Sequence, residues 1–144
     1  MILIQSWQEA SKHAYAIRQA VFIEEQRVPQ EMEIDEFDPI AWHALAFQGT
    51  QCIATGRLVE IPQNAGQIGR MAVLRGFRGN GVGKAILMQL IDLAASQKMS
   101  SVRLHSQVSA IPFYEKVGFS VQGPVYKEAG IPHRNMMLIL PISS

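Results

Sequence analysis

Apolar positions recur along the chain with two periods, one suited to strands and one to helices. Met1–Gln5 is a short apolar run that fits a first strand. Ser6-Trp7-Gln8-Glu9 then fits a capping box, in which the Ser6 hydroxyl and Glu9 carboxylate satisfy free backbone N–H groups. Ala10, Ala14, Ile17 and Val21 follow at helical spacing and predict an amphipathic helix to about Glu24. Pro29 stops it, and Gln30 to Pro39 is acidic and irregular, a loop or a broken short helix. Ala41–Phe47 and Cys52–Ile61 are strand-like runs around a Gln48-Gly49-Thr50-Gln51 turn. Pro62 to Gly66 forms a second turn into a strand near Gln67–Leu74. After a glycine-rich turn, Val82, Ile86, Leu87, Leu90, Leu93 and Ala94 make a helical stripe to about Gln97. Val102–His105 is strand-like, and Ala110–Val117 is a short helix stopped by Gly118 as its C′ residue. Phe119–Tyr126 and Asn135–Leu140 complete the pattern as strands, separated by Lys127–Arg134. Three consecutive central strands and later strand-helix-strand units predict a mixed sheet of the α/β or α+β kind.

At 144 residues the chain is expected to form a single domain, 1–144, with no linker, repeat or low-complexity tract. It is long enough to bury a core without a disulfide or metal staple. The 48% hydrophobic and 17% charged residues describe a globular protein. A net charge of +1 and no Lys/Arg block argue against nucleic acid as a partner. No apolar run approaches the roughly 20 residues of a membrane helix, so no membrane association is expected. The run at Met1–Gln5 is too short for a signal sequence, making a cytoplasmic location the expectation. Cys52, the only cysteine, lies beside Ile53 and Ala54 and reads as a buried strand thiol.

The chemistry centres on Arg78-Gly79-Asn80-Gly81-Val82-Gly83-Lys84, between a strand and a helix. Free N–H groups and the helix dipole favour phosphate at such a place, and glycines let the backbone approach it. Alone, the turn is equally compatible with a tight connection. Two nucleotide patterns fail. A P-loop needs glycine where Arg78 stands and Ser/Thr where Ala85 stands. The dinucleotide fingerprint needs a small residue at Lys84 or Ile86 and an acid near Val102–His105.

What does match is R-x-x-G-x-G at Arg78, Gly81 and Gly83, directly after Arg70-Met71-Ala72-Val73. With Ala110-Ile111-Pro112-Phe113-Tyr114-Glu115-Lys116-Val117-Gly118-Phe119 downstream, this resembles the GCN5-related N-acetyltransferases. Arg18-x-x-Val21-Phe22, Glu25-Gln26-x-Val28-Pro29, Asp35-x-x-Asp38 and Gly130-Ile131-Pro132-His133 resemble the small ElaA/YjcF-like branch. The resemblance covers nearly the whole chain, more strongly in its second half. It implies one twisted mixed sheet of about seven strands, helices on both faces, and a parallel pair, the strands ending at Val73 and His105, splayed at their C-terminal ends. It implies acetyl-CoA as cosubstrate, with pantetheine on the backbone of Met71, Ala72 and Val73 and pyrophosphate on Arg78–Lys84. A backbone N–H near Met71 or Ala72 would be the oxyanion donor. Gln107 is placed to hydrogen-bond pantetheine. A homodimer is suggested by the resemblance alone.

Acetyl transfer to an amine needs a neutral amine, a stabilised oxyanion and a proton for the departing thiolate. Tyr114 matches the family's thiol-protonating tyrosine, and a phenol suits that task; its alternative role is packing beside Phe113. The base is open. His43 on the first central strand, His105 at the predicted opening and His133 in the Gly130–His133 loop are candidates, each also explicable by packing. His13 is assigned to a surface helix. Glu31, Glu33, Asp35, Glu36 and Asp38 form an acidic run with no intervening cation, either a solvated loop or the rim of an acceptor site for a cationic amine. Glu33 and Asp35 are the candidates for that contact. Phe22, Trp42 and Phe47 are assigned to the core. No metal site is expected, for lack of ligand spacing.

The expected function is acetyl-CoA-dependent transfer to a primary amine of a small molecule or peptide, by direct attack in a ternary complex. The alternatives are a non-catalytic acyl-CoA sensor, disfavoured by Tyr114, and a partner-binding protein, disfavoured by the coenzyme turn.

Overall fold

The computed structural model describes residues 1–27 and 35–141. Seven strands among them form one sheet: β1 (Ile2–Gln5), β2 (Trp42–Gln48), β3 (Gln51–Ile61), β4 (Ala65–Val73), β5 (Ser101–Gln107), β6 (Ser120–Glu128) and β7 (Ile131–Ile139). Their order is β1-β2-β3-β4-β5-β7-β6. All neighbours are antiparallel except β4 and β5, which are parallel and joined through a helix. This is the mixed sheet that the pattern predicted. Among the described residues no helix is long and apolar enough to cross a membrane.

The helices cover both faces. On one, Ile86, Leu87, Leu90 and Ile91 of α2 (Val82–Ser96) pack with Leu58, Ile68, Val102 and Leu104 of the sheet. Each such buried side chain contributes about 1.5–3 kcal/mol. On the other, α1 (Trp7–Arg18) brings Ala10 and Ala14 against Leu45. Beyond Arg18 the helix widens into a π-helical stretch, Gln19–Glu25, where Ile17 and Val21 pack on Ala72. The period predicted to Glu24 therefore continues, but with a wider last turn that presents Phe22, Glu25 and Gln26 toward the C-terminal end of β4. π-Turns of this kind commonly occur at functional sites.

Three local expectations change. Ser6 is the N-cap of α1, but its side chain makes no cap bond to the backbone; its hydroxyl donates to Glu9 Oε1 at 3.3 Å instead. The Lys127–Arg134 connector is in fact the end of one hairpin: β6 runs to Glu128, β7 starts at Ile131, and Ala129-Gly130 turns with positive φ at both residues. Two left-handed residues match the twist of the flanking strands, which makes so short a turn feasible. His133 consequently sits on a strand.

The sheet opens where β4 and β5 part. Their pairing ends at Ile68↔Leu104, although β4 continues to Val73 and β5 to Gln107. The cause lies in the β3–β4 register. Thr55 pairs with Ala72 and Arg57 with Gly69, so Gly56 stands opposite both Arg70 and Met71. That extra residue is a β-bulge, with Arg70 at φ 51°, and bulges bend the strand that carries them. The predicted splay of the parallel pair at its C-terminal ends is thus present, and it begins after Ile68 and Leu104.

Candidate active site

The gap between β4 and β5 opens into a cavity of about 540 Å³, within the usual range for small-molecule sites. Its walls come from the end of the π-helical stretch, the segment at Asp35–Phe37, β3, β4, β5, α3 (Ile111–Glu115) and the β6–β7 hairpin. Leu74 donates its N–H to Ile53 of β3. Backbone groups alternate sides along an antiparallel strand, so Val73 directs its own into the gap.

Beyond Val73 the chain reaches the glycine turn. Gly79 and Gly81 have φ of 85° and 80°, and a Cβ at either would meet nothing within 4 Å. Gly81 is the N-cap of α2, and its carbonyl accepts from Ala85 N–H at 3.0 Å. The N–H groups of Val82, Gly83 and Lys84 precede the first intrahelical donor and face out of the helix end. An open, left-handed turn at the start of a 15-residue helix fits a diphosphate. Gly81→Ala is expected to cost about 1–2 kcal/mol of stability through its positive φ. It should also weaken acetyl-CoA binding about tenfold, one tenth of the affinity corresponding to 1.4 kcal/mol. Thermal unfolding and calorimetric titration check the two effects.

Arg78 is not aimed at that turn. Its Nη1 and Nη2 donate to Glu25 Oε2 and Oε1 at 2.8 and 2.9 Å, and its Nε donates to Val73 O at 2.9 Å. The Arg78 guanidinium holds the Glu25 carboxyl below its usual range. Next to Glu25, Gln26 Oε1 accepts from Gln107 Nε2 of β5 at 3.0 Å. Adjacent residues at the end of the π-helical stretch therefore tie to both sides of the gap. What the open turn itself presents is backbone N–H groups and the exposed Lys84. Gln107 lines the cavity, but through a bond to Gln26.

Tyr114 lines the cavity from α3, where Phe113 and Phe119 meet its ring edge-on at 5.0 and 5.9 Å. Burial pushes the Tyr114 phenol up to about 12, so it stays protonated at working pH. It is fit to donate a hydrogen bond.

Across the cavity the β6–β7 hairpin assembles a polar group. His133 pairs opposite both Gln107 and Tyr126. Its Nδ1 lies 2.7 Å from Ile131 O. A carbonyl only accepts, so Nδ1 carries a proton, and in the neutral ring Nε2 is the nitrogen with the lone pair. That Nε2 is 3.7 Å from Glu128 Oε2, too far for a hydrogen bond. Glu128 Oε1 is 3.0 Å from His105 Nδ1. Tyr126 stacks on His133 and donates to Asn135 Oδ1 at 2.6 Å. His105, His133 and Glu128 thus share one wall.

His43 does not. It is buried, with Nε2 donating to Asp38 O at 2.9 Å and Trp7 packed 4.9 Å away. Burial pushes its imidazole below the usual value. It shares a sheet face with its cross-strand partner Arg57, but Trp7 and Asp38 cover it and it does not line the cavity.

The acidic run also reads differently. Glu31 and Glu33 lie outside the described residues. Asp38 is fully buried, bonded by Arg18 Nη1 and Nη2 at 2.9 and 3.0 Å and by Arg57 Nη1 at 2.9 Å. Asp35 lines the cavity but accepts from Arg57 at 2.7 and 2.8 Å and from Arg70 at 3.1 Å. Burial opposes its ionisation, and the Arg57 and Arg70 guanidiniums with the Phe37 N–H outweigh it, lowering the carboxyl to about 2. So low a value makes Asp35 a poor proton acceptor. Cations from three distant segments meet an acid run that has none of its own. Phe22, assigned to the core, also lines the cavity, whereas Trp42 packs in the core as expected. Among the described residues no group of three or more His, Cys, Asp or Glu is arranged to hold a metal.

The sequence model of the acetyltransferase (GNAT) domain matches residues 8–140. The chain belongs to the GNAT acetyltransferase family. The uncharacterised N-acetyltransferase YjcF of Bacillus subtilis is 37% identical over 131 residues, 90% of this chain and 93% of that one. Among solved structures, this GNAT chain resembles a Lactobacillus plantarum protein, 29% identical with TM-score 0.91, covering 98% of each chain. It also resembles Escherichia coli ElaA, 26% identical with TM-score 0.84, covering 95% of this chain and 99% of that one. As a GNAT acetyltransferase it is an enzyme of acyl-CoA-dependent acetyl transfer.

Proposed function

We propose that the chain transfers acetyl from acetyl-CoA to a primary amine by direct attack in a ternary complex. The observation that carries this reading is the convergence of three parts on one cavity: the unpaired end of β4, Tyr114, and the His133 Nε2 lone pair. The pyrophosphate is assigned to the Gly79–Lys84 backbone, and pantetheine to the gap along Met71, Ala72 and Val73. Acetyl-CoA supplies the acetyl group as a thioester.

In this scheme a backbone N–H at the β4 bulge polarises the thioester carbonyl. His133 Nε2 accepts the proton lost by the attacking nitrogen as the C–N bond forms. Tyr114 donates its hydrogen bond, and then its proton, to sulfur as the C–S bond breaks. Exchange with solvent returns one proton to Tyr114 and removes one from His133, leaving the enzyme unchanged. Glu128 attracts the incoming ammonium beside His133, and the ammonium loses one proton to solvent to free its lone pair before it attacks. Arg78, Glu25, Gln26 and Gln107 hold the gap in position.

Amine-dependent release of coenzyme A thiol is the test. His133→Asn is expected to lower kcat about tenfold, below the usual effect of losing a general base because water beside Glu128 substitutes in part. Acetyl-CoA affinity should not change. Tight acetyl-CoA binding with no amine-dependent thiol release would favour the sensor reading instead.

A further inference from the structure

Past Ile68 and Leu104 the β4–β5 ladder ends, and a route of side chains runs between the two freed strand ends. Arg78 Nε donates to Val73 O at the end of β4, at 2.9 Å. The same guanidinium forks onto Glu25, Nη1 to Oε2 at 2.8 Å and Nη2 to Oε1 at 2.9 Å. Glu25 is followed by Gln26, whose Oε1 accepts from Gln107 Nε2 at the end of β5, at 3.0 Å. The route thus passes from β4 over the end of the π-helical stretch to β5.

Position in the R-x-x-G-x-G segment would give Arg78 to the diphosphate. All three of its guanidinium nitrogens donate to the protein instead. Its charge is met by the Glu25 carboxylate, so the pair attracts an anion less than a lone arginine would. Arg75, 79% exposed and 3.7 Å from the same carboxylate, and the exposed Lys84 are cations closer to solvent. Glu25 and Arg78 are 25% and 39% exposed, enough to screen an ordinary ion pair. Here the two-point fork and the Val73 anchor fix the geometry as well. A carbonyl oxygen has two lone pairs, so Val73 O keeps one for a pantetheine N–H.

We infer that Arg78 and Glu25 are positioning residues that set the width of the pantetheine gap, through Val73 on one side and Gln26 with Gln107 on the other, and that Arg78 is not a diphosphate ligand. The fork is what this role requires. Lysine keeps the charge but brings a single nitrogen, and cannot meet Val73 O and both Glu25 oxygens together. This inference rests on the coenzyme placement in the proposed function and deepens it.

Calorimetric titration with acetyl-CoA, and with ADP as a diphosphate that lacks pantetheine, separates the two roles. Arg78→Lys is expected to weaken acetyl-CoA binding about tenfold, the scale of one charge-assisted hydrogen bond, and to leave ADP binding within about a factor of two. Glu25→Gln should weaken acetyl-CoA binding by a similar factor, and the double variant no further, as for two residues that act through one contact. A diphosphate ligand behaves in the opposite way. Arg78→Gln would then weaken ADP and acetyl-CoA alike, and Glu25→Gln, by releasing the guanidinium, would tighten both. Either result overturns the inference. So does unchanged acetyl-CoA affinity in Glu25→Gln, a nearly isosteric change at a partly exposed residue, with circular dichroism matching the parent. A parent protein that binds neither ligand overturns the coenzyme placement beneath it.

Discussion

Tyr114→Phe is expected to lower kcat about 100-fold while leaving acetyl-CoA affinity within about a factor of two. The substitution removes one oxygen from a ring that Phe113 and Phe119 hold edge-on, so the apolar packing of α3 survives. What is lost is the hydroxyl that the proposed scheme sets against the departing sulfur. Burial keeps this phenol protonated, with its value pushed up to about 12. Its contribution is therefore made as charge develops on sulfur in the transition state and not in the ground state. An effect confined to that stage lowers kcat and kcat/KM together. Steady-state kinetics with paired calorimetry separates the outcomes. Equal losses of kcat and coenzyme affinity would assign Tyr114 to binding, and unchanged turnover would remove it from the chemistry.

The second large effect is on stability. Asp38→Asn is expected to destabilise the fold by about 3–5 kcal/mol, the usual consequence of removing one partner of a buried charge cluster. For a chain of this length that lowers Tm by roughly 10 °C or more. The Asp38 carboxylate faces both Arg18, 1% exposed, and Arg57, 7% exposed. Its backbone carbonyl also accepts from His43. One residue therefore fastens α1, β2, β3 and the segment leading to the cavity. Burial resists ionisation of Asp38, and Arg18, Asp35 N–H and Arg57 outweigh it, so the carboxyl sits below the usual carboxylate range. Asp35 is lowered in the same direction, to about 2. Folded values below unfolded ones mean that both carboxylates contribute fully above about pH 4. That contribution is lost as pH falls from there toward 2. Urea unfolding of the parent should show its midpoint drop across this acid window, and Asp38→Asn should show a smaller drop. A variant as stable as the parent at neutral pH would contradict the role given to this network.

The order of strands and helices was legible because burial leaves a period in the sequence. Ala10, Ala14, Ile17 and Val21 mark the helix face on Leu45 and Ala72, and Ile86, Leu87 and Leu90 mark the other. The β6–β7 hairpin was misread because its polar positions fail to alternate. Gly123, at φ 76°, and Pro124 interrupt β6 where its pairing with β7 shifts between Gln122 and Tyr126. Much of β6 is exposed, so burial imposes no pattern there.

The glycine turn at the start of α2 was legible from its spacing, whereas the charged wall of the cavity was not. Charge partners in this chain are distant: Arg18 reaches Asp38 across 20 positions, and Arg70 reaches Asp35 across 35. A local reading finds acids without cations. One signal was present, since Arg57 interrupts the apolar run of β3 between Gly56 and Leu58. A charge inside a central strand calls for a buried partner. Glu128 gave no such sign, because its importance comes from the hairpin turn that sets it between His105 and His133.

The most direct test is a crystal structure with coenzyme A bound. The account predicts pantetheine threaded between β4 and β5, diphosphate on the N–H groups of Gly79–Lys84, and sulfur within hydrogen-bonding distance of the Tyr114 hydroxyl. A coenzyme bound elsewhere, or its sulfur turned away from both Tyr114 and the His133 wall, would contradict it.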